Sequence, residues 1–132
     1  MLDHIAIATK NPESFIEMFI KLGFEYKGKE LVEREKVNIY FLIKNSFKIE
    51  ILEPLKDSKI NDFINKRGET FHHIAISVEN ISAEINNLKN FGFNFVDETP
   101  KEGGEGKKIA FIHPKSSCGI LIELVEEKNG CE

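Results

Sequence analysis

"HIAIATKNPESFIEMFIKLGFEY", His4 to Tyr26, returns 69 residues later as "HIAISVENISAEINNLKNFGFNF", His73 to Phe95, without a gap. His4/His73, Ile5/Ile74, Ala6/Ala75, Ile7/Ile76, Asn11/Asn80, Ile16/Ile85, Gly23/Gly92 and Phe24/Phe93 are identical. Chance rarely gives such a run, and the period is longer than that of solenoid repeats, so the chain reads as a duplicated module. In each copy an Ile-x-Ile alternation has the two-residue period of a strand. Asn11 and Asn80 are expected to cap the helices that follow. Pro12 suits a first helical position. Phe15, Phe19 and Leu22, like Ile81, Ile85 and Leu88, recur at helical spacing and are expected to face a sheet. Gly23 and Gly92 end the helices, and Phe24–Tyr26 and Phe93–Phe95 open second strands.

Beyond the aligned run the order of elements persists. "KVNIYFLIK" and "KKIAFIHP" read as third strands, and "FKIEILEPL" and "GILIELVEE" as fourth strands. Asn45-Ser46 makes the turn between them in the first copy, and "HPKSSC" does so in the second. Between the copies Ser58 is placed to cap a short helix with Ile60, Phe63 and Ile64 inward and Gly68 at its end. "KEGGEGKK" reads as a flexible loop, since it lacks the strand-before, helix-after setting of a phosphate loop. The expected fold is α+β: two β-α-β-β-β modules forming a cupped mixed sheet. A single domain of residues 1–132 would hold module 1 (1–56) and module 2 (70–127), joined by the short helix.

Composition narrows the function classes. The chain has 132 residues, a net charge of −4 and 41% hydrophobic residues, with acidic and basic residues mixed along its length. That balance points away from nucleic acid, which calls for a basic stripe. No apolar run approaches the roughly 20 residues of a membrane span, and no leader is expected, so the expected location is cytoplasmic. Cys118 and Cys131 are not expected to form a bridge, in keeping with a reducing compartment.

The strand pattern also orients the polar residues. His4 shares a face with Leu2, Ala6 and Ala8, and His73 shares one with Phe71, Ala75 and Ser77. The opposite faces carry Ile5 and Ile7, and His72, Ile74, Ile76 and Val78. A lone histidine is usually structural, but the same histidine on the same face of both copies favours function. Small residues beyond each imidazole leave room above the sheet. Glu50 in "KIEIL" and Glu123 in "LIELV" hold matching places in the fourth strands. Lys48 and Glu50 are compatible with an ordinary solvated face. Glu123 is flanked on both faces by apolar residues, and burying its carboxylate without a partner is costly. Two imidazoles and two carboxylates suit a divalent transition metal with mixed N and O ligands, unlike the cysteine-rich sets of structural zinc.

These modules, with His and Glu carried on strands, resemble the vicinal oxygen chelate superfamily, which includes glyoxalase I and the extradiol dioxygenases. Within it, "LDHIAIA", "IEILEPL", "INDFINKRGETFHHIAISV" and "GKKIAFIHPKSSCGILIELVEE" resemble the methylmalonyl-CoA epimerase family, from Leu2 to about Glu127. The resemblance implies that His4, Glu50, His73 and Glu123 hold one divalent ion: Co2+, Mn2+, Ni2+ or Zn2+. It implies an isomerase that takes and returns a proton at the α-carbon of methylmalonyl-CoA, an acyl-CoA thioester, through a metal-stabilised enolate. Glu123 is the first candidate base and Glu50 the second. Lys115 and Ser116 match the family's "HPKS" loop and are candidates for the substrate carboxylate or the CoA phosphates, although an exposed turn fits them equally. Some relatives carry a non-ligand glutamate on the third strand, where this chain has Ile39. His72 is assigned to support of the site or the strand end, His113 to rigidity of its loop, and a homodimer is expected. Competing readings are a glyoxalase I-type lactoylglutathione lyase, an Fe(II) dioxygenase using two histidines and one carboxylate, and a metal-free small-molecule-binding module.

Overall fold

A computed structural model of the chain describes residues 1–127, so Cys131 lies outside the described residues. The strands are β1 (Leu2–Ala8), β2 (Glu25–Val32), β3 (Val37–Lys44), β4 (Phe47–Pro54), β5 (Phe71–Val78), β6 (Lys101–Glu102), β7 (Lys108–Ile112) and β8 (Ile122–Glu126). The helices are α1 (Pro12–Lys21), α2 (Lys59–Arg67) and α3 (Ile81–Asn90). This is the α+β order expected of two β-α-β-β-β copies. Among the described residues, no helix is long and apolar enough to cross a membrane. The chain separates into two compact units, His4–His72 and Met1–Asp3 with His73–Glu132.

In the unit His4–His72, β1 runs parallel to β4, and β2, β3 and β4 form an antiparallel meander. The pleat sorts the side chains onto two faces. One face gathers Ile7, Leu42, Ile49 and Ile51, covered by Phe15, Ile16 and Phe19 of α1. The other gathers Ala6, Val37, Ile39, Phe41 and Leu52, with Ile60 of α2 at its margin. Phe24 packs edge-on against Phe19, with ring centroids 5.3 Å apart. Leu22, expected to face the sheet, is 56% exposed. It is the cap residue after α1, where the chain turns out of the helix toward Gly23 at φ 100°.

Asn11 also departs from expectation, because its side chain makes no capping bond to the α1 backbone. Its amide instead reaches Ser14 Oγ, and its own N–H donates to Thr9 Oγ1. The Glu69 carboxylate serves the start of α1 in its place, accepting from the Thr9 hydroxyl and from the Lys10 N–H. The expectations for α2 hold: Ser58 Oγ accepts from the Ile60 N–H, Ile64 is buried, and Gly68 ends the helix.

In the second unit β5 runs parallel to β8, and β8, β7 and β6 are antiparallel. Asn80 does cap α3, accepting from the Ala83 N–H, while the Glu126 carboxylate accepts from the Ile81 N–H. Ile81, Ile85 and Leu88 pack on Ile76, Ala110, Ile112 and Leu124 as expected. The second strand of this copy is reduced. Phe95 makes a single bridge to Ile112, and regular pairing resumes only at β6. "VDETP" separates the two pieces, and Pro100 has no N–H to give a ladder. The glycine-rich stretch, expected to be a flexible loop, is a closed hairpin in which Gly103 N–H donates to the Lys107 carbonyl. Ile120 falls outside β8 and is exposed.

Candidate active site

The parallel pairing of the first and fourth strands of each copy is what sets an imidazole near a carboxylate. In the first unit Glu50 lies opposite Ala6 on β1 and Phe41 on β3. His4, two residues before Ala6, projects from the same face. His4 Nδ1 is 3.3 Å from Glu50 Oε2. His4 is 4% exposed and Glu50 6%. The solvated face allowed for Lys48 and Glu50 is therefore not what the chain builds. Lys48 Nζ lies 3.6 Å from the same Glu50 oxygen, on a side chain only 12% exposed.

The second unit repeats the register. Glu123 lies opposite Ala75 on β5 and Phe111 on β7. His73 Nε2 is 3.6 Å from Glu123 Oε1, with the two residues 7% and 6% exposed. The Phe111 ring packs at 85° to the His73 imidazole, with centroids 5.3 Å apart. Ala6 and Ala75, both fully buried, have no side chain beyond Cβ to fill the space next to the carboxylates. Each unit thus presents one imidazole nitrogen and one carboxylate oxygen within 4 Å of each other, in surroundings where an isolated charge is costly. Such mixed N/O donors fit a divalent cation of borderline softness.

The other singled-out residues lie elsewhere. His72 leaves the opposite face of β5 from His73 and packs edge-on against Phe63 of α2, with centroids 4.7 Å apart. His113 is exposed, and its Nδ1 accepts from the Lys115 N–H, tightening the β7–β8 loop. Lys115 is exposed, and Ser116 Oγ accepts from the Asn94 N–H, which pins that loop to the segment after α3. Ile39 is buried among Ala6, Phe41 and Leu52, so that position supplies no carboxylate. Sequence reasoning missed Phe41, Phe111 and Lys101. Lys101 Nζ sits 5.6 Å over the Phe111 ring and 3.2 Å from Asp97. Cross-strand register would have found the two phenylalanines, since each sits directly opposite its glutamate.

The sequence profile of the glyoxalase/bleomycin resistance protein/dioxygenase superfamily matches residues 3–111, and the chain belongs to that superfamily. It is 35% identical over 130 residues to the mitochondrial methylmalonyl-CoA epimerase of Dictyostelium discoideum, covering 96% of this chain and 78% of that one. It is 40% identical over 131 residues to the uncharacterized protein YqjC of Bacillus subtilis, covering 96% and 92%. A variant of Streptomyces coelicolor methylmalonyl-CoA epimerase in complex with 2-nitronate-propionyl-CoA superposes with a TM-score of 0.90 at 30% identity. That match covers 96% of this chain and 94% of that one. Two of these three are named as epimerases, enzymes of the isomerase class.

Proposed function

We propose that the chain epimerises methylmalonyl-CoA, with His4, Glu50, His73 and Glu123 holding one divalent metal ion between them. The observation that carries this reading is the repeated pair: a buried imidazole against a buried carboxylate in each unit, at the same strand register. Similarity to named epimerases supplies the substrate class. The bound ion would supply Lewis-acid stabilisation of the negative charge that develops on the thioester when the α-proton leaves.

The chain's own groups carry the proton. Glu123 accepts it from the α-carbon: the C–H bond breaks, an O–H bond forms, and the electron pair moves onto the thioester. Returning a proton to the opposite face of the planar carbon, as the electron pair moves back from the thioester, completes inversion. Glu50, from the other copy of the module, is the group assigned to deliver it, its resting carboxylate first taking up that proton from solvent. The apolar floor around each carboxylate, Phe41 with Ile39 and Phe111 with Ile109, excludes water that would otherwise compete for the proton. Lys115 offers an exposed ammonium to a phosphate or to the substrate carboxylate. The Ser116 hydroxyl, while accepting from Asn94, keeps an O–H to donate.

Deuterium uptake at the α-carbon of methylmalonyl-CoA, followed by mass spectrometry, tests the reading. Uptake is expected in the metal-loaded protein, to be lost with a chelator, and to fall about 100- to 10,000-fold in Glu123→Gln. Exchange that survives complete metal removal would defeat the metal-assisted mechanism.

A further inference from the structure

Glu50 has a second close neighbour besides His4, and this one is a lysine. Lys48 lies two residues earlier on β4, so both side chains leave the same face of the strand. Its Nζ is 3.6 Å from Glu50 Oε2, the oxygen that also faces His4 Nδ1 at 3.3 Å. The ammonium rests 5.7 Å over the Phe41 ring, and Phe41 is the cross-strand partner of Glu50. A ring face and a carboxylate both attract a cation, so the ammonium is held from two sides. Lysine is seldom so deeply placed unless its charge is paired.

The second unit has a lysine over the matching ring, Lys101 over Phe111, but it arrives from β6 and is paired with Asp97. The position matching Lys48, two before Glu123, is Leu121. In the first unit, then, the lysine is paired with the candidate ligand itself.

Resting on the metal reading of Glu50 given above, we propose that Lys48 is a charge-compensating residue of the first unit's half of the site. Its ammonium cancels the charge of Glu50, so the four ligands present one net negative charge to a divalent ion where two carboxylates alone would present two. The loaded site then retains a net positive charge toward a substrate that brings a carboxylate and develops enolate charge.

Titration calorimetry of the metal-stripped full chain with Mn2+ and with Co2+ tests this. Lys48→Met is expected to tighten ion binding about tenfold, because removing a cation a few ångströms from the ion strengthens the site electrostatically. Its kcat is expected to fall. Lys48→Arg is expected to stay within about twofold of the parent affinity, since it keeps the charge. Lys48→Met combined with Glu50→Gln is expected to bind near the parent affinity, because both charges go together. Lys48→Gln replaces Lys48→Met, with the same expected gain, if the methionine variant lacks the native circular dichroism. A folded Lys48→Met or Lys48→Gln with unchanged or weakened affinity, beside a Glu50→Gln that binds more weakly than the parent, overturns this inference alone. Equal loss of affinity in Lys48→Met and Lys48→Arg marks a packing role and also overturns it. A parent chain that binds neither ion, or a Glu50→Gln that binds as the parent does, overturns the metal reading of Glu50 and this inference with it.

Discussion

Glu69 sits two residues before β5 yet acts at the start of α1, sixty residues earlier. Its carboxylate accepts from the Thr9 hydroxyl and the Lys10 N–H, and these bonds hold its pKa below the ordinary glutamate value. A group whose folded pKa is depressed stabilises the fold above its unfolded pKa, about 4.3, and that contribution is lost as pH falls through the folded value. Glu69→Ala should therefore lower unfolding free energy by about 1 kcal/mol at neutral pH, the usual scale of a lost helix cap. Urea melts of the two proteins should differ steadily from pH 7 to 5 and converge as pH falls from the unfolded pKa, about 4.3, through the lower folded one. A difference that widened on acidification would contradict the assignment. Lys115→Met should raise KM for the acyl-CoA several-fold with little change in kcat, because an exposed ammonium binds substrate and reacting complex alike. At this scale the sequence told its story unevenly. The matching places of His4 and His73, and of Glu50 and Glu123, were legible because duplication marks positions that one copy alone would leave ambiguous. Glu69 and Lys48 were not, since their partners are fixed by tertiary contacts and strand packing.

Periodicity identified most elements because each buries one face against one partner. α1 and α3 carry apolar residues every three to four positions, and those residues pack on Ile7, Ile49 and Ile51, and on Ile76, Ala110 and Leu124. The second strand of the second copy was misread because "FNF" is too short an alternation to show that "VDETP" interrupts it. The glycine-rich segment reads as a loop without the β6–β7 hairpin that it forms, because glycine signals both freedom and close approach. Gly103 shows the second use. A Cβ there would stand 2.7 Å from Ile109 Cδ1 and 3.1 Å from its Cγ1 and Cγ2. Ile109 is buried against Ala75 and Val125, so it has little room to yield. Gly103→Ala should destabilise the fold by roughly 1–3 kcal/mol, the range for overpacking. Combining it with Ile109→Val should recover part of that loss in thermal melts. Additive losses would show that the crowding lies elsewhere.

For the molecule as a whole, the buried pairs tie stability to the proposed metal. Each unit buries a carboxylate and an imidazole inside a sheet, where desolvation works against the charged form. A cation that binds these groups in the folded chain and not in the unfolded one adds RT ln(1 + [L]/Kd) to stability, about 2.7 kcal/mol at a hundredfold excess over Kd. For a chain of 132 residues that should raise Tm by roughly 10 °C. His73→Ala and Glu123→Gln should each abolish most of the rise. Glu69→Ala should lower the baseline Tm but keep the full increment, because its carboxylate serves a helix terminus and not the candidate ligand set. The comparison separates metal linkage from general salt effects, since ionic strength would move all the variants together. An equal increment in the His73, Glu123 and Glu69 variants would place the ion outside the four proposed ligands.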